Sequence, residues 1–557
     1  MFKKLLIANR GEIAVRILRA CRDLNIAAVA VFSEADRAAL HVRLAEEAYL
    51  LGPASPRESY LCIDKILDIA GRAGCDALHP GYGFLSENPA LPRACADAGI
   101  TFVGPSAEAM ERLGSKTGAR QLAHQAGVPM VPGVRAPIEQ FDDAAYIARD
   151  LGYPVLLKAV AGGGGKGMRV VTQPGDLPGA WRDASSEALN AFGDGRVYIE
   201  RYLASPRHIE VQILGDTHGH IVYLGERECS VQRRHQKVLE EAPSAFATPD
   251  LRRKMGEAAV RLARAAGYTN AGTVEFLVDS DRNFYFLEVN TRLQVEHPVT
   301  EAVTGLDLVQ LQLRIAAGES LPFTQDAVSS HGHAIECRIY AEDPGNRFLP
   351  SPGKLVSWRA PQGPGIRLDD GVYQGWTVPG DYDPLLAKLI AWGADRTEVL
   401  ARLRRALREF SAAGIKTNIG LFAEILDHPG FVRGDVHTRW LDEQLEFMRV
   451  SRANQDLETP PAGNLNAGSP GDLRSSPQIS ATALSGGDSE CGVDAESGVT
   501  SGAVSARIVD AAAIAAALWH YRQTCTPREA DPQPPISRWK LEGRREQLAR
   551  APGSDTK

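Results

Sequence analysis

An abrupt change in composition near residue 450 limits how much of this chain can fold. Residues 451–505 contain no aromatic residue and no lysine, and glycine, serine and proline fill 22 of these 55 positions. Such a segment buries too little apolar surface to offset the entropy lost on ordering, so a disordered linker is expected over 449–505. Residues 506–557 are predicted to form an alanine-rich helix followed by a basic, aromatic end, a tail of unknown role. The folded part of the chain should therefore lie within residues 1–450.

The composition excludes several classes of protein. The 557 residues carry a net charge of −7, with 44% apolar and 24% charged residues. These values are typical of a globular protein, here with three or four domains, and they argue against a chain that coats nucleic acid. No uncharged apolar run approaches the roughly 18 residues of a membrane span, and the apolar run near the start is too short for a secretory signal. The eight cysteines are scattered without a CxxC pair, which favours reduced thiols in the cytoplasm.

The first 110 residues alternate between apolar strands and amphipathic helices. Lys3–Asn9 and Ala27–Phe32 are predicted strands, and Gly11–Leu24 between them has helical spacing. This alternation predicts an open, largely parallel α/β sheet. The loop His79–Phe84 follows a strand, at the edge where such sheets bind ligands, although the residues alone favour a tight structural turn.

Four consecutive glycines separate two further predicted strands, Tyr153–Val160 and Met168–Val171. No helix follows them, so the loop is not a Rossmann turn, and Gly167 directly after Lys166 breaks the Walker A pattern. Backbone N–H groups of such a loop can surround a polyphosphate, and Lys158 and Lys166 would add positive charge. We interpret the loop as a phosphate-binding lid, with a floppy hairpin turn as the alternative.

A hairpin with carboxylates on one face is predicted at Thr273–Asp279 and Phe284–Asn290, around a four-residue turn. A symmetric pairing places Glu275 opposite Glu288, with Asn290 on the same face as Glu288. Like charges directly opposite each other destabilise a sheet unless a cation lies between them. Two carboxylates and an amide oxygen suit Mg²⁺ or Mn²⁺, so we predict a metal site; the alternative is that the carboxylates splay into water.

Charged residues after this hairpin suggest an anion site. Arg292, Gln294 and Glu296 share one side if the chain is extended, where they could bind a small anion and abstract its proton. Arg338 is a second candidate, although such an arginine is more often part of a structural ion pair. The basic cluster 233–237 is either part of a site or only a solvated face.

Eight sequence strings occur in an order that points to one family. They are 7–14 (IANRGEIA), 79–88 (HPGYGFLSEN), 158–168 (KAVAGGGGKGM), 226–237 (ERECSVQRRHQK), 288–300 (EVNTRLQVEHPVT), 336–344 (ECRIYAEDP), 351–353 (SPG) and 414–418 (GIKTN). On these strings, residues 1–448 closely resemble the biotin carboxylase component of biotin-dependent carboxylases, an ATP-grasp family. The resemblance implies a multidomain chain of α/β and α+β class. Its parts would be an N-terminal α/β domain at 1–115, an ATP-grasp domain at 116–328 with a lid at about 131–203, and a C-terminal domain at 329–448.

The resemblance also implies a ligase that forms carboxyphosphate from MgATP and bicarbonate and then carboxylates biotin. ATP would be bound by Lys116, Lys158, Gly163, Gly164, Gly165, Glu200, Leu203, His208, Gln232, His235, Glu275 and Glu288. Two Mg²⁺ or Mn²⁺ ions would be held by Glu275, Glu288 and Asn290. Bicarbonate and biotin would be bound by Lys237, Arg292, Gln294, Val295, Glu296 and Arg338. Glu296 would be the base, and Lys237, Arg292 and Arg338 would complete the catalytic set.

The expected partners follow from what the tail lacks. No lysine in 449–557 has the context of a biotin attachment site, and no carboxyltransferase domain is recognised. We therefore expect a homodimer that works with a separate biotin carboxyl carrier protein and carboxyltransferase subunits, without nucleic acid or membrane partners. The holoenzyme would be an acyl-CoA carboxylase acting on acetyl- or propionyl-CoA, as in fatty acid biosynthesis. A carboxylase of pyruvate or another 2-oxo acid is one alternative, and a non-catalytic nucleotide-binding scaffold is another.

Overall fold

The architecture is that of a computed structural model, described here for residues 1–134, 137–159, 168–192 and 194–447, without the side chains of 116, 117, 191 and 192. The predicted linker, the predicted tail and the glycines Gly163, Gly164 and Gly165 lie outside the described residues. So does the side chain of Lys116.

A parallel sheet forms the N-terminal part. Its elements and their helices are β1 (Lys4–Ile7), α1 (Gly11–Asp23), β2 (Ala27–Ser33), α2 (Leu40–Leu44), β3 (Glu47–Gly52), α3 (Ile63–Arg72), β4 (Ala77–His79), α4 (Ala90–Asp97), β5 (Thr101–Phe102) and α5 (Ala107–Gly114). The strands lie in the order β3-β2-β1-β4-β5, and every neighbouring pair is parallel. Leu5 and Ile7 pack in the cluster of α1, whereas Leu6 packs in the cluster of α3 and α4, so both faces of β1 are covered. The predicted open α/β sheet is confirmed.

A small antiparallel sheet follows. The next elements are α6 (Lys116–Gln125), α7 (Phe141–Leu151), β6 (Val155–Ala159), β7 (Met168–Val171), α8 (Leu177–Phe192) and β8 (Val197–Arg201). The strands lie in the order β7-β6-β8. Alternate residues of β6, Val155 and Leu157, are buried with Ala144 of α7 and Ala184 of α8. Lys158 pairs with Met168, so β6 and β7 are the two strands predicted to flank the glycine loop.

The remaining elements, in chain order, are β9 (Arg207–Gly215), β10 (Ile221–Arg233), β11 (Gln236–Ala242), α9 (Pro249–Ala266), β12 (Asn270–Val278), β13 (Phe284–Asn290), α10 (His297–Thr304), α11 (Leu308–Ala316), β14 (His333–Tyr340), β15 (Glu342–Asp343), β16 (Leu349–Pro350), β17 (Gly353–Lys354), β18 (Ser357–Arg359), β19 (Ile366–Asp370), β20 (Thr377–Val378), β21 (Leu385–Gly393), α12 (Arg396–Glu409), β22 (Ser411–Ala413), α13 (Ile419–Asp427) and α14 (Pro429–Arg433). A further helical segment covers 440–447.

An eight-stranded antiparallel sheet is the centre of this region. Its order is β13-β12-β9-β10-β11-β14-β21-β19, so strands on both sides of residue 329 share one sheet. Helix α9, which packs on this sheet, begins where the Thr248 hydroxyl accepts a hydrogen bond from the Leu251 N–H, and it ends at Gly267 with φ of +64°. The long sheet supplies a rigid surface on which side chains from distant segments can meet.

Two further observations concern the helices and the cysteines. Within the described ranges, no helix has both the length and the apolar character needed to span a membrane. The cysteines Cys21, Cys62, Cys75, Cys95, Cys229 and Cys337 carry free thiols.

Candidate active site

The predicted carboxylate hairpin is present with the predicted register. Glu275 on β12 pairs directly with Glu288 on β13. The connection between the strands is one residue longer than expected, but a register shift between Glu275 and Phe276 absorbs the extra residue. Asn290 lies on the same face, where its Nδ2 donates to Oε1 of Glu275 at 2.8 Å. The three predicted metal ligands are therefore neighbours.

The two opposed glutamates have different surroundings. Glu275 is buried, whereas Glu288 is exposed. Lys237 Nζ lies 2.9 Å from Oε1 of Glu275, and His208 Nε2 lies 3.0 Å from its Oε2. Burial alone would raise the pKa of Glu275, but Lys237 and His208 hold that pKa below its ordinary value. Donor atoms of His208, Glu210 and Glu275 lie within 4.8 Å of one another and form a second group that could contact a cation.

Lys237 connects three buried carboxylates. Its Nζ lies 2.5 Å from Oε2 of Glu210, 2.9 Å from Glu275 and 2.7 Å from Oε1 of Glu296. Burial would lower the pKa of Lys237, but these three carboxylates raise it well above its ordinary value. The basic cluster 233–237 is thus divided: Lys237 points inward, while His235 sits exposed in the turn between β10 and β11 with φ of +68°.

Glu296 is fully buried between two cations. Besides Lys237, Arg338 contacts Glu296, since its Nη2 donates to Oε2 of Glu296 at 2.8 Å. Arg338 Nε donates to Oε1 of Glu240 at 2.6 Å. Burial opposes ionisation, yet Lys237 and Arg338 hold the pKa of Glu296 well below its ordinary value. The backbone at Glu296 has φ of −82° and ψ of 15°, so the chain turns here and does not meet the condition of an extended path. The Glu296 side chain, at the residue before helix α10, nevertheless lies in the cluster.

Arg292 and Gln294 adjoin the same cluster. Arg292 Nη1 donates to Oε1 of Gln294 at 3.0 Å, and Gln294 Nε2 lies 3.4 Å from Oε1 of Glu275. Glu87, in the loop after β4, accepts from Arg292 Nε at 3.0 Å. The carbonyl of Val295 accepts from Lys388 Nζ at 2.9 Å. Lys388 reaches the site from a distant segment that no motif marks. Glu87 lies within the string 79–88, but that string alone did not indicate its contact with Arg292.

A separate group lies at the small antiparallel sheet. Glu200 on β8 is buried. Its Oε2 lies 2.5 Å from Lys158 Nζ, and its Oε1 lies 2.7 Å from Arg120 Nη2. Arg120, on α6, is a site residue that sequence reasoning missed. Leu203 follows β8 and is partly exposed. On the neighbouring sheet, Gln232 Nε2 and His208 Nδ1 are 2.9 Å apart.

A cavity of about 470 Å³ opens beside Arg292 and Arg338. Tyr82 and Phe84 form part of its wall, so the loop after β4 lines a candidate binding site and is more than a structural turn. The loop also has the structural role expected of a turn, since His79 Nδ1, in its first residue, accepts a hydrogen bond from the Gly81 N–H at 3.0 Å.

Chemically, the site combines a buried carboxylate that could act as a base, cations that can hold anions, and paired carboxylates suited to a metal. Together with a glycine-rich segment between antiparallel strands, these features are typical of the class of ATP-grasp ligases. Three family models match the chain: "Biotin carboxylase, N-terminal domain" over residues 1–110, "Carbamoyl-phosphate synthase L chain, ATP binding domain" over 115–324, and "Biotin carboxylase C-terminal domain" over 336–443.

Relatives and solved structures agree with these models. The biotin carboxylase of Halalkalibacterium halodurans is 53% identical over 446 residues, which are 80% of this chain and 98% of the relative. A pyruvate carboxylase subunit of Methanothermobacter thermautotrophicus is 51% identical over 462 residues, covering 82% of this chain and 94% of the relative. The biotin carboxylase–beta-gamma-ATP complex from Campylobacter jejuni matches with a TM-score of 0.75 and 45% identity, covering 80% of this chain and 99% of that one.

A dimeric biotin carboxylase domain of the Hydrogenobacter thermophilus 2-oxoglutarate carboxylase, with MgADP, ADP and bicarbonate, matches with a TM-score of 0.74 and 45% identity. It covers 80% of this chain and 98% of that chain. The chain belongs to the biotin carboxylase family. It is a ligase that carboxylates biotin at the expense of ATP, as the biotin carboxylase subunit of a biotin-dependent carboxylase.

Proposed function

We propose that the chain carries out the first half-reaction of an acyl-CoA carboxylase, on biotin attached to a separate carrier protein. The observation that carries the proposed mechanism is Glu296, which is fully buried between Lys237 and Arg338. Bicarbonate is a poor nucleophile until it loses its proton, and a positioned, ionised carboxylate can accept that proton. Glu296 is the base in this proposal.

Residues around Glu296 would hold the anions. Lys237, Arg292, Gln294 and the backbone of Val295 are proposed to bind bicarbonate. Arg338 is proposed to stabilise carboxyphosphate, and then the negative charge that develops on the ureido oxygen when biotin loses its proton. The support is that Arg292 and Arg338 both line the 470 Å³ cavity, together with Tyr82.

The nucleotide set comes from two sheets. We propose contacts with ATP from Lys116, Lys158, Gly163, Gly164, Gly165, Glu200, Leu203, His208, Gln232, His235, Glu275 and Glu288. Phosphoryl transfer depends mainly on positioning and charge neutralisation, which explains lysines at two places. The fit to a metal rests on the donor set, since two opposed carboxylates and the adjacent Asn290 amide offer the oxygens that Mg²⁺ or Mn²⁺ prefers. When bound at Glu275, Glu288 and Asn290, the ions would neutralise phosphate charge.

The division into domains at 1–115, 116–328 and 329–448, with a lid at about 131–203, is likewise proposed; the matched ranges 1–110, 115–324 and 336–443 support it. A homodimer is supported by the dimeric 2-oxoglutarate carboxylase domain. A cytoplasmic location is supported by the free thiols.

The proposal also names the class of compound that finally receives the carboxyl group, an acyl-CoA. Similarity to the propionyl-CoA carboxylase alpha chain of Ruegeria pomeroyi, 48% identical over 479 residues, supports an acyl-CoA. Similarity to the pyruvate carboxylase subunit favours a 2-oxo acid as the second candidate. The test is to isolate the native complex through its biotinylated carrier and to assay it with acetyl-CoA, propionyl-CoA, pyruvate and 2-oxoglutarate. Carboxylation of an acyl-CoA supports the proposal, and carboxylation of a 2-oxo acid alone overturns it.

A further inference from the structure

Glutamates face each other across neighbouring strands at several places in the eight-stranded sheet. Besides the hairpin pair, the register brings together Glu210 with Glu275, Glu228 with Glu241, and Glu240 with Glu336. Ionised carboxylates opposite each other in a buried sheet repel unless donors or cations lie beside them. The partners of each pair therefore indicate whether both members are ionised.

In the Glu228–Glu241 pair, each carboxylate has hydrogen-bond donors beside it. Glu241 accepts from Arg396 Nε at 2.7 Å, and its Oε2 is 3.1 Å from His333 Nε2. Glu228 accepts from Ser244 Oγ at 2.7 Å. Two charges can be accommodated here because each carboxylate has its own hydrogen bonds.

The Glu240–Glu336 pair differs. Both side chains are fully buried, and the only donor seen within the described residues is Arg338 Nε, 2.6 Å from Oε1 of Glu240. In the same described part of the chain, Oε2 of Glu240 and both oxygens of Glu336 have no hydrogen-bond partner. Lys388 lies opposite Arg338 on β21, but its Nζ donates to the Val295 carbonyl and pairs with Oε1 of Glu12 at 3.2 Å.

We propose that Glu240 and Glu336 share one proton, as a carboxylic acid hydrogen-bonded to a carboxylate, next to Arg338. Residues directly opposite each other in an antiparallel pair have Cβ atoms about 4.5–5.5 Å apart, so the side chains of Glu240 and Glu336 are long enough to bring their carboxyl groups together. One proton gives a hydrogen bond to each unpartnered carboxyl group and removes one of two like charges from a fully buried place. Burial also raises the pKa of both groups, that of Glu240 to about 7.

The shared proton would keep Arg338 available to the substrate. Arg338 already pairs with Glu296, so two ionised glutamates at 240 and 336 would surround it with three carboxylates and draw it away from the substrate. This consequence rests on the proposed function, in which Arg338 stabilises carboxyphosphate and biotin. Glu240 and Glu336 are positioning residues, because they act through Arg338.

Groups that face the pair come from several elements: Arg338 and Cys337 of β14, Lys237 of β11, Cys229 of β10, Lys388 of β21, and Glu296 before α10. Burial raises the pKa of both thiols, and against burial Lys237 and Arg338 keep the pKa of Glu296 low. Burial also raises the pKa of Glu12, which pairs with Lys388, and of Glu210, which pairs with Lys237. Variants at 240 and 336 therefore have to assign a proton that this cluster loses as the pH rises from neutral.

Infrared difference spectroscopy of the full-length protein tests the proton directly. Raising the pH from about 6 to about 9 should remove a carboxylic-acid carbonyl band from the wild-type spectrum. E240Q and E336Q should each lack that band, because either glutamine supplies the hydrogen bond permanently and leaves the same net charge. E241Q, the next residue on the same strand, should retain it. A band of wild-type amplitude in both E240Q and E336Q would overturn the proposal.

The dependence of kcat/KM for free biotin on pH gives the second readout. The wild type and E241Q should lose activity towards alkaline pH, and in E240Q and E336Q this decline should move up by about one pH unit or more. An unchanged decline in both variants contradicts the proposal. The infrared signal needs no turnover. A band that is present in the wild type and reduced in E240Q and E336Q, in a protein that does not carboxylate biotin, would refute the proposed function and leave the shared proton supported.

Discussion

Arg227 provides a sharp test of how the buried charges of the sheet are held. Its guanidinium is fully buried, and it donates to Glu210 at 2.6 Å, Gln212 at 2.8 Å, Thr300 at 2.9 Å and Thr273 at 3.0 Å. Replacement by methionine keeps the bulk of the side chain but leaves a buried carboxylate without its main cation. We expect Arg227→Met to lower the free energy of unfolding by about 3–5 kcal/mol.

The deficit should depend on pH. Burial raises the pKa of Glu210, and Arg227 is the strongest group that opposes the rise, so the variant should raise this pKa further. A carboxyl whose pKa is higher in the folded state binds more protons there, and stability falls as the pH rises through that range. The difference between wild type and Arg227→Met should therefore widen from about pH 5 to about pH 8.

Urea unfolding followed by tryptophan fluorescence measures both effects. Arg253→Met is the matched control, because Arg253 is exposed and pairs with Asp250 and Glu257 at 2.8 and 2.9 Å, and it should cost about 1 kcal/mol or less. Adding Glu210→Gln to Arg227→Met should recover part of the loss at alkaline pH. A cost for Arg227→Met no larger than the control, or one independent of pH, would refute the reasoning.

Three further changes have expected outcomes. Lys158→Met removes a charge-assisted contact and should weaken ATP binding about 10- to 100-fold, as measured by calorimetry; an unchanged Kd would contradict its place in the nucleotide site. Glu87→Gln loosens Arg292 and should raise the KM for bicarbonate about two- to tenfold, with the KM for ATP unchanged. Burial would raise the pKa of Asp369, but Arg367 lowers that pKa to about 2. The ionised Asp369 therefore stabilises the fold above the usual aspartate pKa of 3.8, and this contribution is lost as the pH falls towards 2. Asp369→Asn should flatten acid unfolding curves in that interval, and an unaltered curve would exclude this origin.

Local chemistry made part of this site predictable. The β12–β13 hairpin is recognisable because two strands of alternating pattern flank a polar turn, and that geometry alone brings Glu275 opposite Glu288. The same holds for β6 and β7 around the glycine loop. In both cases the pairing joins residues close in sequence, so little had to be known about the rest of the chain.

The missed residues come from long-range packing. Arg120 reaches Glu200 from a helix, Glu87 reaches Arg292 from the N-terminal sheet, and Glu240 meets Glu336 only because β11 pairs with β14. Taken singly, each resembles an ordinary surface charge. The order of the eight-stranded sheet decides which charges become neighbours, and no short pattern in the sequence specifies that order.

Transfer of radiolabel from bicarbonate to free biotin, with MgATP, tests the proposed mechanism most directly. The wild type should form labelled carboxybiotin, and ATP hydrolysis should require bicarbonate and be stimulated by biotin. Glu296→Gln should lower the transfer about 10²- to 10⁴-fold while still binding ATP, because the base is lost and the nucleotide contacts remain. Transfer by Glu296→Gln at the wild-type rate, or ATP hydrolysis that biotin does not stimulate, would contradict the account.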